Sequence, residues 1–290
     1  MLMENRMRAN NPKTAPDFHK VVTDYRSGNR SAALLLTGKE GAPNNYRLTL
    51  DGDGSTGDWV TPRHRHTKEQ FRYVVSGEFH ITDKEVLPKG WAAYFPESVY
   101  YGPQIKPKDL HMLTLQYGGP SGLGYMSPSQ MQKGIETLLA RGGKFERGVY
   151  TWTDADGRRH NQDAAEAAEE AAWGRKMAYP PPRYMTFIIM NPDAFGWIKD
   201  KDTAGIARKN LGTFTERDAR FGFVRMNKGA TLTFGIETSP EIVFVNEGAI
   251  VHGDQRYERH SALATEAEEA PVSLRAVEPT ELVYMKLPTF

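Results

Sequence analysis

The sequence predicts an all-β protein with two barrels or sandwiches in tandem and a helical segment between them. Two long stretches contain short runs rich in β-branched and aromatic residues, separated by turn residues. Many short strands at this spacing are typical of a sandwich or barrel and not of alternating strands and helices. The intervening stretch is rich in Ala and Glu, and a length of 290 residues accommodates two domains.

The first β region runs from about Ala32 to Tyr117 and predicts the first domain, residues 32–126, after an N-terminal arm of residues 1–31. Turn signals at Ser76-Gly77 and Pro88-Lys89-Gly90 separate its strands. The clearest predicted strands are Tyr46–Leu50, Phe71–Val75 and Leu110–Tyr117.

The segment 127–182 is predicted to be a helical linker. Ser127-Pro128 precedes apolar residues at helical spacing and Gly142-Gly143 ends the run, which indicates a capped amphipathic helix. A second helix is expected from Asp163 to Trp173, with Asp163 as its N-cap. The run Tyr179-Pro180-Pro181-Pro182 then ends the helical segment.

The second β region, residues 183–290, predicts a second domain that resembles the first. The segment Gln70–Gly77 can be laid over Glu241–Gly248, so that polar start, apolar strand and closing glycine coincide, and we infer an internal duplication. This alignment puts Gly235 and Glu237 where His64 and His66 stand. We therefore expect no metal site in the second domain and a role in packing or dimerisation. Its clearest strands are Phe221–Met226, Thr231–Phe234, Glu241–Val245 and Glu281–Leu287.

Composition excludes several classes of function. Lys and Arg total 37 against 36 Asp and Glu, a net charge of +1 that argues against nucleic acid or a membrane surface as partner. The chain has no Cys, which excludes disulfides, thiolate zinc sites and cysteine nucleophiles. We find no apolar run suited to a signal peptide or a bilayer, and we expect a cytoplasmic protein.

The triplet His64-Arg65-His66 carries the most chemical information. Residues two apart on a strand point to the same face, so both imidazoles would project to one side about 7 Å apart along the strand. Two nitrogens so placed can converge on one cation at about 2.0–2.1 Å each. Gln70 opens the next strand and shares a face with Arg72 and Val74.

His64, His66, Gln70 and Gly77 together resemble the first motif of the cupin superfamily, which has two histidines, a glutamate and a glycine at fixed spacing. The stretch from Gly90 through Pro96 to Tyr101 is similar to the second cupin motif. The resemblance covers about Val60 to Gln104 and implies two cupin-type, double-stranded β-helix (jelly-roll) barrels, of which the first holds one divalent metal ion. It implies iron first, with nickel, manganese or zinc as alternatives.

The sequence departs from the cupin pattern at two ligand positions. The glutamate position holds Gln70 and the third histidine position holds Tyr101. Two alternatives for the third metal ligand stay open: Tyr101 could bind as phenolate, or His111 could supply a third nitrogen. Tyr101 is also a candidate catalytic acid or base or substrate contact.

Arg72 shares the inward face of Gln70, and a buried guanidinium needs an anionic partner. That partner is a substrate anion or a neighbouring acid such as Glu69 or Glu97. Tyr94, in the second motif, and Gln104, at its end, are further candidate substrate contacts.

We therefore expect a mononuclear metal enzyme that acts on a small, anionic, oxygen-rich or aromatic molecule by dioxygenase-type or isomerase/lyase-type chemistry. An alternative is a bicupin that binds a small ligand without catalysis. A third is a scaffold whose helical segment binds a partner protein. By analogy with other cupins, we expect a homodimer.

Overall fold

The computed structural model describes residues 7–22, 30–52, 55–146 and 148–290. It separates into two compact units. One is Pro16–Ile189, and the other joins Met190–Phe290 with the N-terminal segment up to Ala15. The predicted linker 127–182 therefore belongs to the first unit.

Short strands make up most of the regular structure, and helices are concentrated in the segment between the two β regions. Up to residue 118 the elements are β1 (Arg8–Asn10), α1 (Phe18–Val21), β2 (Ala32–Thr37), β3 (Tyr46–Asp51), β4 (Trp59–Thr61), β5 (Lys68–Ser76), β6 (Glu78–His80), β7 (Val86–Pro88), β8 (Ala92–Phe95), β9 (Gln104–Lys106) and β10 (His111–Gly118). The next segment contains α2 (Pro128–Ala140), β11 (Lys144–Glu146), β12 (Val149–Thr153), β13 (Arg159–Asp163) and α3 (Ala164–Trp173). The remaining strands are β14 (Ile188–Met190), β15 (Ile198–Lys199), β16 (Ile206–Phe214), β17 (Ala219–Met226), β18 (Thr231–Phe234), β19 (Glu241–Glu247), β20 (Ala249–His252), β21 (Gln255–Glu258), β22 (Ala262–Thr265), β23 (Val272–Ala276) and β24 (Thr280–Lys286), with a 3₁₀ turn at Pro192–Ala194.

Two sheets form the barrel of the first unit. The larger has the strand order β14-β8-β5-β10-β3-β2, and the smaller has the order β4-β9-β6-β7. Phe79 and Leu87 of the smaller sheet share one buried cluster with Val74 and Met112 of the larger sheet. The two sheets therefore face each other across an apolar core at one end of the barrel.

Residue alternation decides what the larger sheet presents to the interior. On β5, Gln70 and Arg72 lie on the same face as Val74, whereas Phe71 and Tyr73 lie on the opposite face. Both faces of β5 are buried. Buried polar side chains need hydrogen-bond partners, so Gln70 and Arg72 must find theirs inside the barrel. This face of β5 is part of the candidate site.

The two helices α2 and α3 pack closely against each other and also against the first barrel. A Cβ atom at Gly134 would lie 2.2 Å from the carbonyl oxygen of Ala168, so glycine permits this approach. Ile135 and Ala165 share a buried cluster with Ala32 of the barrel.

Both predicted helix starts are confirmed. Ser127 forms a capping box with Gln130, and the Asp163 side chain accepts hydrogen bonds from the Ala165 and Glu166 backbone amides. The three-stranded sheet β11-β12-β13 between the helices was not predicted.

The second unit repeats the topology of the first. Its larger sheet has the order β1-β22-β19-β24-β17-β16-β15, and its smaller sheet has the order β18-β23-β20-β21. Strand β19 lies between β22 and β24 as β5 lies between β8 and β10. Gly77 and Gly248, which close β5 and β19, have φ angles of 77° and 79°. This correspondence supports the internal duplication.

Among the described residues, no helix is both long enough and apolar enough to cross a membrane.

Candidate functional site

A polar cavity of about 100 Å³ lies inside the first barrel. The helical segment helps to close it, because Met131 of α2 and Glu169 of α3 contribute to its wall. The other lining residues are Phe18, His19, Arg30, Ala32, Arg47, Thr49, Asp51, Trp59, Thr61, His64, His66, Lys68, Arg72, Gln104, Lys106, Thr114, Gln116, Tyr125 and Met126.

Backbone pairing brings Tyr101 next to His64 and His66, the two histidines that line this cavity. His64 and Tyr101 form a β-bridge in which each backbone amide donates to the other residue's carbonyl at 3.0 Å. The imidazole centroids of His64 and His66 are 4.8 Å apart. The Tyr101 ring centroid lies 4.6 Å from that of His64 and 5.9 Å from that of His66. All three side chains are buried.

Hydrogen bonds orient this group, which we call the His-His-Tyr cluster. His64 Nδ1 lies 2.6 Å from the Pro62 carbonyl oxygen. Because a carbonyl oxygen can only accept, that contact places the hydrogen on Nδ1 and makes Nε2 the unprotonated nitrogen of the ring. The Gln70 amide nitrogen donates to the Tyr101 hydroxyl at 2.6 Å. Arg72 Nη2 donates to the Gln70 amide oxygen at 2.7 Å, so a chain of donors runs from Arg72 through Gln70 to Tyr101.

The donor set fits a metal ion only if Tyr101 takes part. Among the described residues, no group of three or more His, Cys, Asp or Glu side chains is placed to hold a metal. The amide oxygen of Gln70, its only atom suited to a hard cation, accepts from Arg72 instead, which corrects the expectation that Gln70 is a ligand. Two imidazoles and a phenol oxygen therefore form the available set.

The structure does not bring His111 to the other two histidines. The interior face of β10 carries Thr114 and Gln116. A bulge follows His111, and its ring lies against Gly52, where a Cβ atom would be only 2.8 Å away. Leu113 and Leu115 lie on the opposite face of β10. The expectation that His111 is a third metal ligand is therefore not supported by the structure.

Tyr94 also lies away from the cavity. Its hydroxyl donates to the carboxyl of Glu69, and its ring is 5.4 Å from that of Phe71, on the other face of β5. Burial raises the pKa of Tyr94 far above its ordinary value. The expectation that Tyr94 contacts a substrate is therefore wrong: it packs on the face of the sheet opposite the cavity.

Arg72 and Gln104 do line the cavity. The Arg72 guanidinium lies 4.5 Å from the centroid of the Phe95 ring and 4.9 Å from that of Phe79. The Gln104 side chain is 2% exposed, and its amide nitrogen has no protein hydrogen-bond partner in the described part of the chain.

Most of the charge that lines the cavity was not predicted from the sequence. Among the described lining residues, five cationic side chains stand against two carboxylates: Arg30, Arg47, Lys68, Arg72 and Lys106, with Asp51 and Glu169. Lys68 pairs with Glu169 at 2.6 Å, and Lys106 pairs with Asp51. A signal was present in β3, where Arg47, Thr49 and Asp51 alternate with apolar residues.

The cavity disfavours additional positive charge. Burial lowers the pKa of His19 to about 4, and the cations Lys106 and Arg47 lower it further, whereas Asp51 and Asp17 raise it. Burial lowers the pKa of Lys106 to about 8, with Arg72 and Arg30 acting in the same direction against Asp51. The electrostatic environment therefore favours an anionic ligand.

No protein-family model and no curated protein sequence matches this chain. Solved structures do match. A proposed dioxygenase from Nostoc punctiforme superposes with a TM-score of 0.62 at 10% identity, over 99% of this chain and 84% of that one. Streptomyces albus HEPD, solved with 2-hydroxyethylphosphonate and Fe(II), superposes with a TM-score of 0.56 at 13% identity, over 100% of this chain and 78% of that one. The nickel(II) complex of the Escherichia coli pirin YhhW superposes with a TM-score of 0.50 at 10% identity, over 98% of this chain and 100% of that one.

These similarities show the fold. The chain consists of two jelly-roll domains in tandem, and a helical segment lies between the two β regions in the sequence, as predicted. It has the cupin fold, and the resemblance seen in its motifs is confirmed at that level.

Proposed function

We propose that the first barrel holds a divalent metal ion on His64, His66 and Tyr101 and acts on a small anionic molecule bound beside it. The observation that carries this proposal is the pair of imidazoles of His64 and His66 at a cavity with excess positive charge, with the Tyr101 ring packed against His64. A bound metal would supply Lewis-acid or redox chemistry at the histidine pair.

The chain's own residues have separate roles in this proposal. His64 would bind the metal through Nε2, because Nδ1 donates to the Pro62 carbonyl. Gln70 donates to the Tyr101 oxygen and so holds that oxygen in a fixed position. The phenolate and the substrate anion together would offset the charge of the metal.

The metal and the reaction class extend this proposal. We propose iron first, since HEPD was solved with Fe(II) in the same fold, with nickel, manganese or zinc as alternatives. We propose dioxygenase-type or isomerase/lyase-type chemistry on an oxygen-rich or aromatic anion. A cytoplasmic homodimer is also part of the proposal, and light scattering on the purified protein tests its oligomeric state.

A second candidate function is anion binding without catalysis. It is favoured by the lack of a third His or an acidic ligand among the described residues near the pair, and by the five cations that already line the cavity. A cation held by two neutral imidazoles would be repelled there unless Tyr101 ionises.

Metal analysis separates the two candidates. We would measure metal content by mass spectrometry on the tag-free protein, on the His64→Ala/His66→Ala variant and on Tyr101→Phe, with His80→Ala as a control away from the cavity. About one equivalent of metal in the wild type and the control, lost from the double variant and reduced in Tyr101→Phe, supports the proposal. Folded wild-type protein that takes up none of Fe(II), Ni(II), Mn(II) or Zn(II) refutes it and favours the binding protein.

A further inference from the structure

Four side chains in the wall of the first-barrel cavity present polar atoms that lack a protein hydrogen-bond partner in the described part of the chain. The atoms are Arg30 Nε, Arg47 Nε, Gln104 Nε2 and Thr114 Oγ1. We call these four residues the donor cluster. Arg30 is 6% exposed, Gln104 2% and Thr114 6%, so bulk water does not solvate them.

Unpartnered buried donors are costly. A buried polar group without a hydrogen bond lowers the stability of the folded state, and groups of this kind rarely persist without a partner. Three of the four atoms can only donate, and the fourth is a hydroxyl that can also donate. Acceptor oxygens of a ligand in this cavity are therefore the partners that suit these donors.

The two arginines are already held in place. Arg30 donates through Nη1 to the Pro107 carbonyl at 2.8 Å and through Nη2 to the Leu110 carbonyl at 3.0 Å. The Arg47 guanidinium lies 3.7 Å from the centroid of the Phe18 ring. A ligand would therefore meet fixed donors and would lose little affinity to side-chain ordering.

We propose that the donor cluster is an oxyanion subsite that binds a carboxylate or phosphate-type group of the ligand. Arg47 supplies the main charge, and Gln104 and Thr114 supply hydrogen bonds. This inference rests on the proposed function only in placing the other end of the ligand at the His-His-Tyr cluster.

The same geometry gives Arg72 a different role from the substrate clamp that the sequence suggested. Arg72 donates through both Nε and Nη2 to the amide oxygen of Gln70, at 3.2 Å and 2.7 Å. Gln70 in turn donates to Tyr101. Arg72 is therefore a positioning residue that fixes Gln70, and through it the Tyr101 hydroxyl.

Strand register keeps the two arginines apart. Arg47 pairs with Gln116 across β3 and β10, and Arg72 pairs with Thr114 across β10 and β5. The two arginine backbones thus flank β10 at a separation of about 12 Å, from twice the strand spacing and an offset of two residues along the strands. Thr114 lies on the strand between them, where it can contribute to the anion subsite.

Calorimetric titration of the full-length protein tests the subsite. The probes are inorganic phosphate and methylphosphonate in one arm and acetate and malonate in the other, which distinguishes phosphate-type from carboxylate ligands. Loss of a charge-assisted hydrogen bond predicts that Arg47→Gln weakens binding of the tightest probe by at least about tenfold. Arg63→Gln, an exposed arginine outside the cavity, is the matched control and should bind as wild type does.

Further variants keep the test informative if Arg47→Gln does not fold. Gln104→Leu and Thr114→Val are close in size to the residues they replace, and each should weaken the same probe by about threefold to tenfold. Failure of every probe to bind the wild type at tens of millimolar overturns the subsite. The subsite is also overturned if folded Arg47→Gln binds the probe as tightly as the wild type does. The same holds if Gln104→Leu and Thr114→Val both bind it as tightly as the wild type.

A metal-free background separates this inference from the proposed function. In the His64→Ala/His66→Ala variant, the probe should still bind and should still depend on Arg47. A wild type that takes up no metal but binds the probe through Arg47 refutes the metal proposal and leaves the subsite standing. Arg72→Met should lower metal content more than probe affinity. If it lowers probe affinity more than metal content, Arg72 binds the anion itself, as the sequence suggested.

Discussion

Replacing Glu69 by glutamine is expected to stabilise the protein at neutral and alkaline pH. Glu69 lies on β5 next to Gln70, is 1% exposed, and accepts a hydrogen bond from Tyr94. The pKa of Glu69 is raised from an ordinary 4.5 to about 8, mainly by burial; the bond from Tyr94 opposes the rise, and the nearby carboxylate of Glu97 adds to it. The folded protein therefore keeps this carboxyl protonated at pH values where the unfolded chain has lost the proton.

The direction of the pH dependence follows from proton counting. Between pH 4.5 and about pH 8 the folded state binds more protons at Glu69 than the unfolded state. The contribution of Glu69 to stability is therefore fully present below pH 4.5 and is lost as pH rises through about 8. At about 1.4 kcal/mol for each pKa unit, the loss amounts to roughly 3–5 kcal/mol.

Urea denaturation of wild type and Glu69→Gln at about pH 4.5, 7 and 9 measures this effect. The neutral amide of glutamine can still accept from Tyr94, so the two proteins should have similar free energies of unfolding at the lowest pH. The variant should be more stable by roughly 3–5 kcal/mol at the highest pH. Glu146→Gln, an exposed glutamate of the same unit, should show no such trend. A difference between wild type and Glu69→Gln that stays constant with pH would refute the reasoning.

Three further predictions concern the cavity and its cover. Lys68→Met removes one partner of the buried ion pair with Glu169, whose side chains are 9% and 5% exposed. It should cost about 3–5 kcal/mol in urea denaturation, and the double variant Lys68→Met/Glu169→Leu should recover most of that loss. Affinity for the oxyanion probe should fall as pH rises through about 8, where Lys106 loses its positive charge, and Lys106→Met should abolish this dependence in calorimetric titrations. Gly134→Ala places a Cβ atom against the Ala168 carbonyl, and separating the two helices should lower the free energy of unfolding by about 1–3 kcal/mol.

Most of the fold could be predicted because its signals are local. Strand β18 runs over the predicted Thr231–Phe234, and the strands predicted at Phe71–Val75 and Glu241–Val245 form β5 and β19. Helix caps and turn glycines depend on side-chain chemistry within a few residues, so they too were visible. The sheet β11-β12-β13 was missed because its three strands are short and mostly outside the core; only Tyr150 among them is buried.

The candidate site was only partly visible. The spacing of His64 and His66 indicated a shared face, and the structure places their rings 4.8 Å apart. His111 could not be placed from sequence, since both faces of β10 are buried and alternation alone does not say which face is interior. The bulge after His111 adds a register shift that has no local signature.

The sequence by itself determined the all-β class, the repeated domain, the histidine pair and the two departures from the cupin motif. Each of these depends on residue types at short, fixed spacing. Only the tertiary structure decided which residues share the interior with the pair. The charges on Arg30, Arg47 and Lys106 come from strands and loops far apart in the chain, and closure of the barrel brings them to one cavity. Their proximity is set by strand pairing over long sequence separations, and that pairing depends on the whole sheet.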